Sequence, residues 1–414
     1  MDQAHGDSAA ETVSADIAAT AAPEKPRLFE TRIAVMCGAA FIISGLHVPF
    51  FPVWLDLIGM NSGQISLILA VAMLARIFSA PFIMATSDRS GERVRILIAL
   101  SLTSVVCASF FLFTRSFAAL VAVSVALGVV SGSQIPITEA IALSGVRRFN
   151  SDYARMRVWG SISFLVANLA GGIALQHFGA GILPGLLVAA FALTAVTAQF
   201  MPRLGPPRRK APLPGDVVQS ASRAFLKTGF LMFMAADALI QASHAFVYGF
   251  SSIYWRSIGI GETAIGLLWA LGVLAEILLF YRFKRDFGAM TPTAMLVIAG
   301  SVSVARWVLF PLIEPLGLGL PGFVVIQLMH GITFGLTYLA MQQKTAQAIE
   351  EHELGSAQGA VVFIQGLTLA TGLYLSGPLY DAANVHGFWV MAVIAVAGLL
   401  LAFATQRVEK RQGV

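Results

Sequence analysis

Charged residues are scarce in this chain, in which Asp, Glu, Lys and Arg make up only 12% of 414 residues. About 25% is usual for a soluble globular protein, so the composition argues against an ordinary soluble fold. Cysteine is almost absent: Cys37 and Cys107 both fall within apolar runs, and no disulfide framework is implied. The N-terminus lacks a basic segment followed by an apolar one, so no cleavable signal peptide is expected.

Motifs of soluble enzymes are also missing. The chain has no G-x-x-x-x-G-K-[ST] sequence, and hence no ATP-hydrolysing module of its own. A G-x-G-x-x-G match at Gly317–Gly322 joins two apolar runs without a βαβ unit, and we interpret it as chance. The seven histidines include no pair at helical ligand spacing, and no cluster of cysteines or carboxylates assists them. We therefore expect no enzyme activity, no metal site and no cofactor.

Long apolar runs are what the chain has instead, and its mean hydropathy is +0.78. About 20 apolar residues cross a bilayer as a helix, and the helix satisfies its own backbone hydrogen bonds in lipid. Twelve runs approach or exceed that length, and we call them spans 1 to 12: 33–54, 63–86, 95–113, 117–142, 158–178, 182–201, 229–254, 264–281, 290–312, 318–343, 357–378 and 387–405. The pattern predicts an all-α membrane protein with twelve transmembrane helices.

A Pro-rich basic segment, RLGPPRRKAPLPGD, divides the chain between spans 6 and 7. It predicts a cytoplasmic linker at 202–228 between two six-helix bundles, 32–201 and 229–406. Residues 1–31 are polar and rich in alanine, and we expect a disordered cytoplasmic tail there. A second short cytoplasmic tail, 407–414, is expected after the last bundle.

Lys and Arg are distributed very unevenly between the two sides of these spans. Of the 27 such residues, Arg115 and Arg256 alone lie in loops on one side, and nearly all the others lie on the opposite side. The excess of positive charge predicts that the richer side is cytoplasmic, with both termini in the cytoplasm of a bacterial inner (plasma) membrane. The net charge of +5 follows from this rule and gives no argument for a nucleic-acid partner. We expect a functional monomer in the lipid bilayer.

Spans 2 and 8 resemble each other at an offset of two hundred residues. Gly59 matches Gly259, and Ile65 matches Ile265. The tripeptides Met-Leu-Ala and Val-Leu-Ala precede two charged residues of opposite sign, Arg76 and Glu276. Weak symmetry between two halves, with ionisable residues inside the membrane, is typical of secondary transporters. The repeat therefore favours a transporter whose site lies between the halves.

Six charged residues fall within or just inside the spans, together with three histidines: Arg76, Glu139, Arg157, Asp237, Glu276, Arg306, His47, His244 and His330. Six unpaired central charges would cost on the order of 15–20 kcal/mol, at roughly 2.5–3.5 kcal/mol each. A protein has only about 5–15 kcal/mol of net stability. The six charges must therefore pair with one another, face an aqueous cavity or, for the acids, bind a proton. Ion pairs that merely hold helices together are the alternative interpretation.

The segments SGSQIPITEAIAL and YARMRVWGSISF contain Glu139 and Arg157, eighteen residues apart on spans 4 and 5. Here the chain resembles the major facilitator superfamily, and within it the proton symporters related to lactose permease and phenylpropionate permease. The resemblance implies two pseudo-symmetric six-helix bundles and substrate recognition by Glu139 and Arg157. Phe164 stands where lactose permease has a tryptophan, which puts sugar stacking in question.

Spans 7, 8 and 10 look like the phenylpropionate permeases in three long segments: QASHAFVYGFSSIYWRSIGI, GLLWALGVLAEILLF and MHGITFGLTYLAMQ. His330 and Arg306 match a histidine and an arginine of lactose permease, whereas Thr333 replaces its span 10 glutamate. The resemblance thus implies that another acid binds the coupled proton. We expect Glu276 with His330 in that role, and Asp237 as the second choice.

The loop after span 2 resembles a conserved loop motif of the superfamily through four residues, Asp88, Arg89, Gly91 and Arg93. The resemblance implies that they latch helix ends and govern alternating access. A degenerate copy follows span 8 at 285–288. We interpret Arg76 as an anchoring charge of the first bundle and group it with these structural and gating residues.

Aromatic residues cluster near the outer ends of spans 1 and 7. Trp54, Tyr254 and Trp255 are interpreted as an interfacial belt. Phe51 and Tyr248 are expected nearer the cavity, where they would suit an aromatic substrate. An arginine fork would bind its carboxylate in a bidentate manner while the rings stack.

The sequence thus predicts proton-coupled uptake of a small organic acid, such as a phenylpropionate-like aromatic carboxylate, with the proton gradient as energy source. Arg157 and Arg306 would contact the anion, and Glu139 would orient Arg157. Three alternatives stay open: a sugar or nucleoside proton symporter, an efflux antiporter, and, from a different class, a membrane sensor or assembly partner that does not transport.

Overall fold

The computed structural model describes residues 25–205, 227–349 and 354–412. The predicted disordered tail, apart from its last seven residues, and most of the predicted linker lie outside the described residues. The first helix begins at Phe29, three residues before the predicted start of the first bundle, and the last one ends at Gln412.

The first half of the chain forms seven helices, labelled α1 to α7: Phe29–Leu57, Ser62–Ser90, Arg93–Ser109, Phe117–Ser131, Gln134–Phe149, Tyr153–Phe178 and Leu183–Gln199. The second half forms eight, α8 to α15: Thr228–Ala242, Ala245–Ser257, Glu262–Asp286, Pro292–Leu309, Gly319–Leu328, Thr337–Ala348, Leu354–Ala383 and Gly387–Gln412. A π-helix, Gly331–Leu336, connects α12 to α13.

Eleven helical segments of the described chain are long and apolar enough to cross a membrane. The last of them, Ala357–Glu409, contains 53 residues and includes most of α14 and α15. These two helices contain 30 and 26 residues, so at 1.5 Å per residue each is about 40–45 Å long and can cross a core about 30 Å thick. The twelve predicted spans are all accommodated in this way, and the prediction of an all-α membrane protein is confirmed.

Three spans are interrupted near the middle. Span 4 is split between α4 and α5 at Gly132 and Ser133, one turn before Pro136, which has no N–H to donate back to that turn. Span 7 is split between α8 and α9 at Ser243 and His244, and span 10 contains the π-helix. Pro136 accounts for the break in span 4, whereas no proline lies at the other two interruptions.

The predicted repeat is present in the backbone. Gly59 and Gly259 both follow a helix end and have φ angles of +87° and +86°, which favour glycine at both positions. The two G-x-x-x-G segments, 128–132 and 331–335, occupy corresponding places: Gly128 packs against the Ala72 carbonyl and Gly331 against the Ala275 carbonyl. Each thus brings its helix into backbone contact with the helix that holds Arg76 or Glu276.

The two halves meet mainly on one side of the membrane. We call the side on which α1 begins the near face, and the side on which it ends at Leu57 the far face. One hydrophobic core near the far face contains residues of both halves, for example Phe50 and Phe250. Toward the near face, each half has a hydrophobic core of its own, which contains Phe29 in the first half and Phe230 in the second.

Glycines close the far face. A Cβ on Gly172 of α6 would lie 2.5 Å from the Glu262 carbonyl oxygen, and one on Gly266 of α10 would lie 2.3 Å from that of Asn168. Gly377 of α14 approaches Ser62 of α2 in the same way, within 2.4 Å. Toward the near face, the described residues include no hydrogen bond or ion pair between the halves. The space between the halves is therefore sealed on the far side, and the half-specific cores separate toward the near side.

Candidate functional site

A buried hydrogen-bond network lies in the second half of the chain. Arg306 of α11 is only 1% exposed. Its Nη1 donates to Thr333 Oγ1 at 2.8 Å and to His330 Nδ1 at 3.1 Å, and its Nη2 donates to Gln327 Oε1 at 2.8 Å. Gln327 in turn donates to the Leu268 carbonyl at 3.1 Å. The guanidinium is therefore held by acceptors from span 10 and, through Gln327, by span 8.

These contacts fix the tautomer of His330. Because Arg306 has no acceptor atom, Nδ1 of His330 must accept, and the ring proton is on Nε2. Nε2 lies 2.8 Å from Glu276 Oε1. A neutral imidazole thus donates to the Glu276 carboxylate, and His330 connects that carboxylate to Arg306. A second proton on His330 requires Arg306 to release Nδ1 first.

A second branch of the network passes through Thr333 to His244. Nδ1 of His244 faces the carbonyls of Ile240 and Gln241 at 3.1 and 3.2 Å, so it donates to them and Nε2 is the acceptor. The Thr333 hydroxyl lies 3.0 Å from that Nε2 and donates to it. His244 therefore satisfies carbonyl groups at the break between α8 and α9, which explains a histidine that is 0% exposed in a membrane span.

The π-helix holds two members of this network. His330 immediately precedes it and Thr333 lies within it. Gly331 makes the close approach possible, because a Cβ there would lie 2.7 Å from the Ala275 carbonyl oxygen. Single π-turns inside α-helices occur frequently at functional sites.

Aromatic rings surround the network on the far side. Tyr248 stacks on Trp269 with centroids 5.9 Å apart and lies 6.3 Å from the ring of His244. The Arg306 guanidinium lies 4.5 Å from the ring centroid of Trp307. Cation and rings therefore share one environment, in which an aromatic face stabilises the guanidinium.

The first half of the chain holds a more open charged pair. Arg157 Nε of α6 lies 3.4 Å from Glu139 Oε1 of α5, and about a third of each side chain is exposed, 31% and 35%. The guanidinium also lies 4.2 Å from the ring centroid of Phe41. Phe164 is half-buried on the same face of α6, seven residues from Arg157. Tyr338 of α13, from the other half, is within electrostatic range of the pair.

Two other predicted site residues are fully buried. Phe51 is 1% exposed and stacks between His47 and Trp54, with centroids 4.4 and 5.6 Å away, so it lies in the hydrophobic core. Asp237 of α8 is 0% exposed and accepts a hydrogen bond of 2.6 Å from Gln365. Its Oδ1 has no hydrogen-bond partner among the described residues. The aromatic belt expected of Trp54, Tyr254 and Trp255 is absent, because all three are buried in the far-face core.

The loop after span 2 links three helix ends on the near face. Gly91 turns the chain with a φ of +68° between α2 and α3. Arg93 pairs with Asp88 at 2.7 Å and donates to Ser144 of α5 at 3.0 Å. Arg89 is exposed. The loop therefore connects the near-face ends of α2, α3 and α5 within one half.

Gln327, Thr333 and His244 belong to the network although the sequence did not indicate their roles. One signal was available: Gln327, His330 and Thr333 recur every three residues in an otherwise apolar run. Polar residues on one helix face inside a membrane indicate partners on that face. A groove of about 750 Å³ lies elsewhere, between α1, α6 and α7, and contains none of the predicted site residues.

The MFS_1 like family model matches residues 39–391. The chain is 28% identical over 373 residues to the probable 3-phenylpropionic acid transporter of Escherichia coli (strain K12), covering 87% of this chain and 94% of that protein. It is 24% identical over 387 residues to the putative nucleoside transporter YegT of the same organism, covering 88% and 90%.

Among solved structures, the nucleoside transporter NupG matches with a TM-score of 0.74 at 12% identity, covering 92% of this chain and 98% of NupG. At this identity the likeness concerns the fold, and it confirms the predicted major facilitator arrangement of two pseudo-symmetric bundles. The family model covers most of the chain, and with it the predicted resemblance is confirmed. The chain belongs to the MFS_1 like family and is a multi-pass membrane transporter of small molecules, not an enzyme.

Proposed function

We propose that the protein takes up a small aromatic carboxylate, of the 3-phenylpropionate kind, together with protons across the bacterial inner membrane, with both termini in the cytoplasm. The observation that supports this most directly is the chain Glu276–His330–Arg306, in which a carboxylate and a guanidinium share one imidazole. The name of the 28% identical relative suggests the substrate class.

Proton binding and anion binding are coupled by this arrangement. While Glu276 is ionised, its negative charge offsets the positive charge of Arg306, to which His330 connects it. A proton on Glu276 removes that charge and leaves the buried guanidinium without a counter-ion. An anionic substrate then binds more tightly, and by linkage a bound anion favours the proton. Symport of an acid anion with a proton follows from this reciprocity.

The rest of the substrate lies between the halves in this proposal. Arg157 contacts the anion, Glu139 orients Arg157, and Phe164 and Tyr248 stack on the aromatic ring. Phe51, which is buried and stacks on His47, has no contact with the substrate in this proposal.

A nucleoside or sugar symporter is the second candidate. The Glu139–Arg157 pair, about one-third exposed, offers both acceptors and donors to hydroxyl groups, and the chain is 24% identical to a putative nucleoside transporter. Uptake competition between 3-phenylpropionate, nucleosides and sugars distinguishes the two, since one class should compete and the others should not.

The coupling role is tested by measuring the uptake of radiolabelled 3-phenylpropionate into proteoliposomes that contain the Glu276→Gln variant. The amide keeps a hydrogen bond to His330 but binds no proton, so accumulation driven by a pH gradient should be abolished while substrate exchange persists. Glu314→Gln, at an exposed position on the far face, is the control and should transport normally. Unchanged accumulation by Glu276→Gln would exclude the proposed role.

A further inference from the structure

Arg76 lies in the middle of α2 and its side chain has no partner. The residue is exposed, and no hydrogen bond or ion pair of its guanidinium is formed with any residue of the described ranges. Its aliphatic stem packs against Gly132, where a Cβ would lie 2.6 Å from Arg76 Cγ. An anchoring charge needs a counter-charge on a neighbouring helix, and the described part of the chain provides none. The anchoring role stays a prediction, and the guanidinium donors of Arg76 are available to a ligand.

The face of α2 on which Arg76 lies is turned toward the space between the halves. Leu69, seven residues earlier and therefore on nearly the same face, packs against a small core that includes Ala245 of α9 in the other half, and a Cβ on Gly249 of α9 would lie 3.9 Å from its Cδ1. Arg76 lies two turns closer to the near face, next to Ile77, which still packs on Gly366 of α14 in the other half. Arg76 is therefore exposed beside the contact between the two halves.

The other cations of the spans are already engaged. Arg157 is paired with Glu139 and lies over Phe41. Arg306 donates to three side chains and is fully buried. Among the arginines that the described spans place near mid-membrane, Arg76 is the exposed one whose donors are free.

Asp237 does not supply the missing counter-charge. It is fully buried in the opposite half and bonded to Gln365. The repeat instead relates Arg76 to Glu276: Gly132 packs on the stem of one, and a Cβ on Gly335 would lie 3.5 Å from Cγ of the other. Equivalent positions thus provide a free guanidinium in one half and a carboxylate bonded to His330 in the other.

We propose that Arg76 binds the carboxylate of the substrate together with Arg157, so that the transported ligand must be a monocarboxylate and not a neutral analogue. This inference rests on the proposed function and assigns its anion site. The five N–H donors of a guanidinium form a fixed fork that matches a carboxylate in a bidentate manner. A single negative charge on the ligand supplies the counter-ion that the protein lacks at this position.

The test compares binding of 3-phenylpropionate and of neutral 3-phenylpropanamide by calorimetry, with the purified full-length protein in detergent. The variants are Arg76→Gln, Arg76→Lys and the control Arg95→Gln, which removes an exposed near-face arginine. Arg76→Gln should weaken binding of the acid at least tenfold and leave binding of the amide unchanged. Arg76→Lys keeps the positive charge but not the guanidinium fork, so its affinity for the acid should lie between those of the unmodified protein and Arg76→Gln. Unchanged amide binding also shows that each variant is folded.

The outcomes separate this inference from the proposed function. If the unmodified protein binds the acid, and Arg76→Gln binds it with unchanged affinity, the anion site is elsewhere and the inference is wrong while the proposed function stands. Equal affinity of the unmodified protein for acid and amide has the same consequence. If the unmodified protein binds neither 3-phenylpropionate nor its shorter and longer homologues, the proposed function itself is wrong, and the inference with it.

Discussion

The two halves of this transporter share a backbone plan but hold their charges differently. In the second half, Arg306 is buried and bonded to three side chains, and only its Nε has no partner among the described residues. In the first half, Glu139 and Arg157 meet at 3.4 Å in an open setting and Arg76 is free. Helix contacts have thus been retained between the repeats while side-chain roles have diverged. In the proposed function, the closed network exchanges the proton and the open charges bind the ligand.

The largest expected difference between the halves appears when each arginine is replaced by methionine. Arg306→Met leaves three buried partners without their donor, and loss of one partner from a buried ionic network costs about 3–5 kcal/mol. Arg157→Met breaks a pair that is one-third exposed, and this should cost at most about 1 kcal/mol. Thermal unfolding in detergent, monitored by tryptophan fluorescence, should give Arg306→Met a Tm well below that of Arg157→Met.

An equal loss of stability in both variants would contradict this contrast. Double substitution of Arg306 and Glu276 by apolar residues is a useful addition, because removal of both charges should recover part of the lost stability.

The next prediction concerns the contact between the halves on the far face. Gly172→Ala introduces a Cβ within 2.5 Å of the Glu262 carbonyl oxygen. Overpacking of this kind costs about 1–3 kcal/mol, and here it affects only the state in which the far face is closed. Spin labels at Phe178 and Leu316, which are exposed on the far face of opposite halves, should move apart. Gly185→Ala, where a Cβ meets nothing within 4 Å, should leave the distance unchanged.

The smallest expected effect is the interaction between Glu139 and Arg157. In a double-mutant cycle with Glu139→Gln and Arg157→Gln, the coupling energy for thermal stability should be about 0.2–1 kcal/mol, because solvent screens a pair exposed to this extent. A coupling energy above about 2 kcal/mol would mean that this pair is as structural as the buried network, and the contrast between the halves would disappear.

Much of this architecture could be predicted from the sequence because the membrane imposes strong rules. Span length, the linker and the two-hundred-residue offset follow from hydropathy and from a few matching residues such as Gly59 and Gly259. Glu276, His330 and Arg306 could be singled out because charge inside a membrane is costly. These are effects of single residues or single helices, and they are visible in a one-dimensional pattern.

Other features depend on how helices meet. The acceptors of Arg306 on Gln327 and Thr333 require knowledge of which faces of α11 and span 10 touch. The break at His244 is not marked by a proline in the sequence. A histidine side chain satisfies the freed carbonyls there. The closed far face is one of at least two states that a transporter adopts, and the small free-energy difference between such states leaves no signature in residue spacing.

The π-helix of span 10 has a further consequence for the angular position of residues along that helix. His330 and Tyr338 are eight residues apart, which in an unbroken α-helix places them about 80° apart around the axis. A single π-turn accommodates one extra residue, so the angle falls to about 20°. Tyr338 therefore shares the face of His330, and that one face extends from the buried network to within electrostatic range of Glu139 and Arg157. One inserted residue gives a single helix contact with the chemistry of both halves.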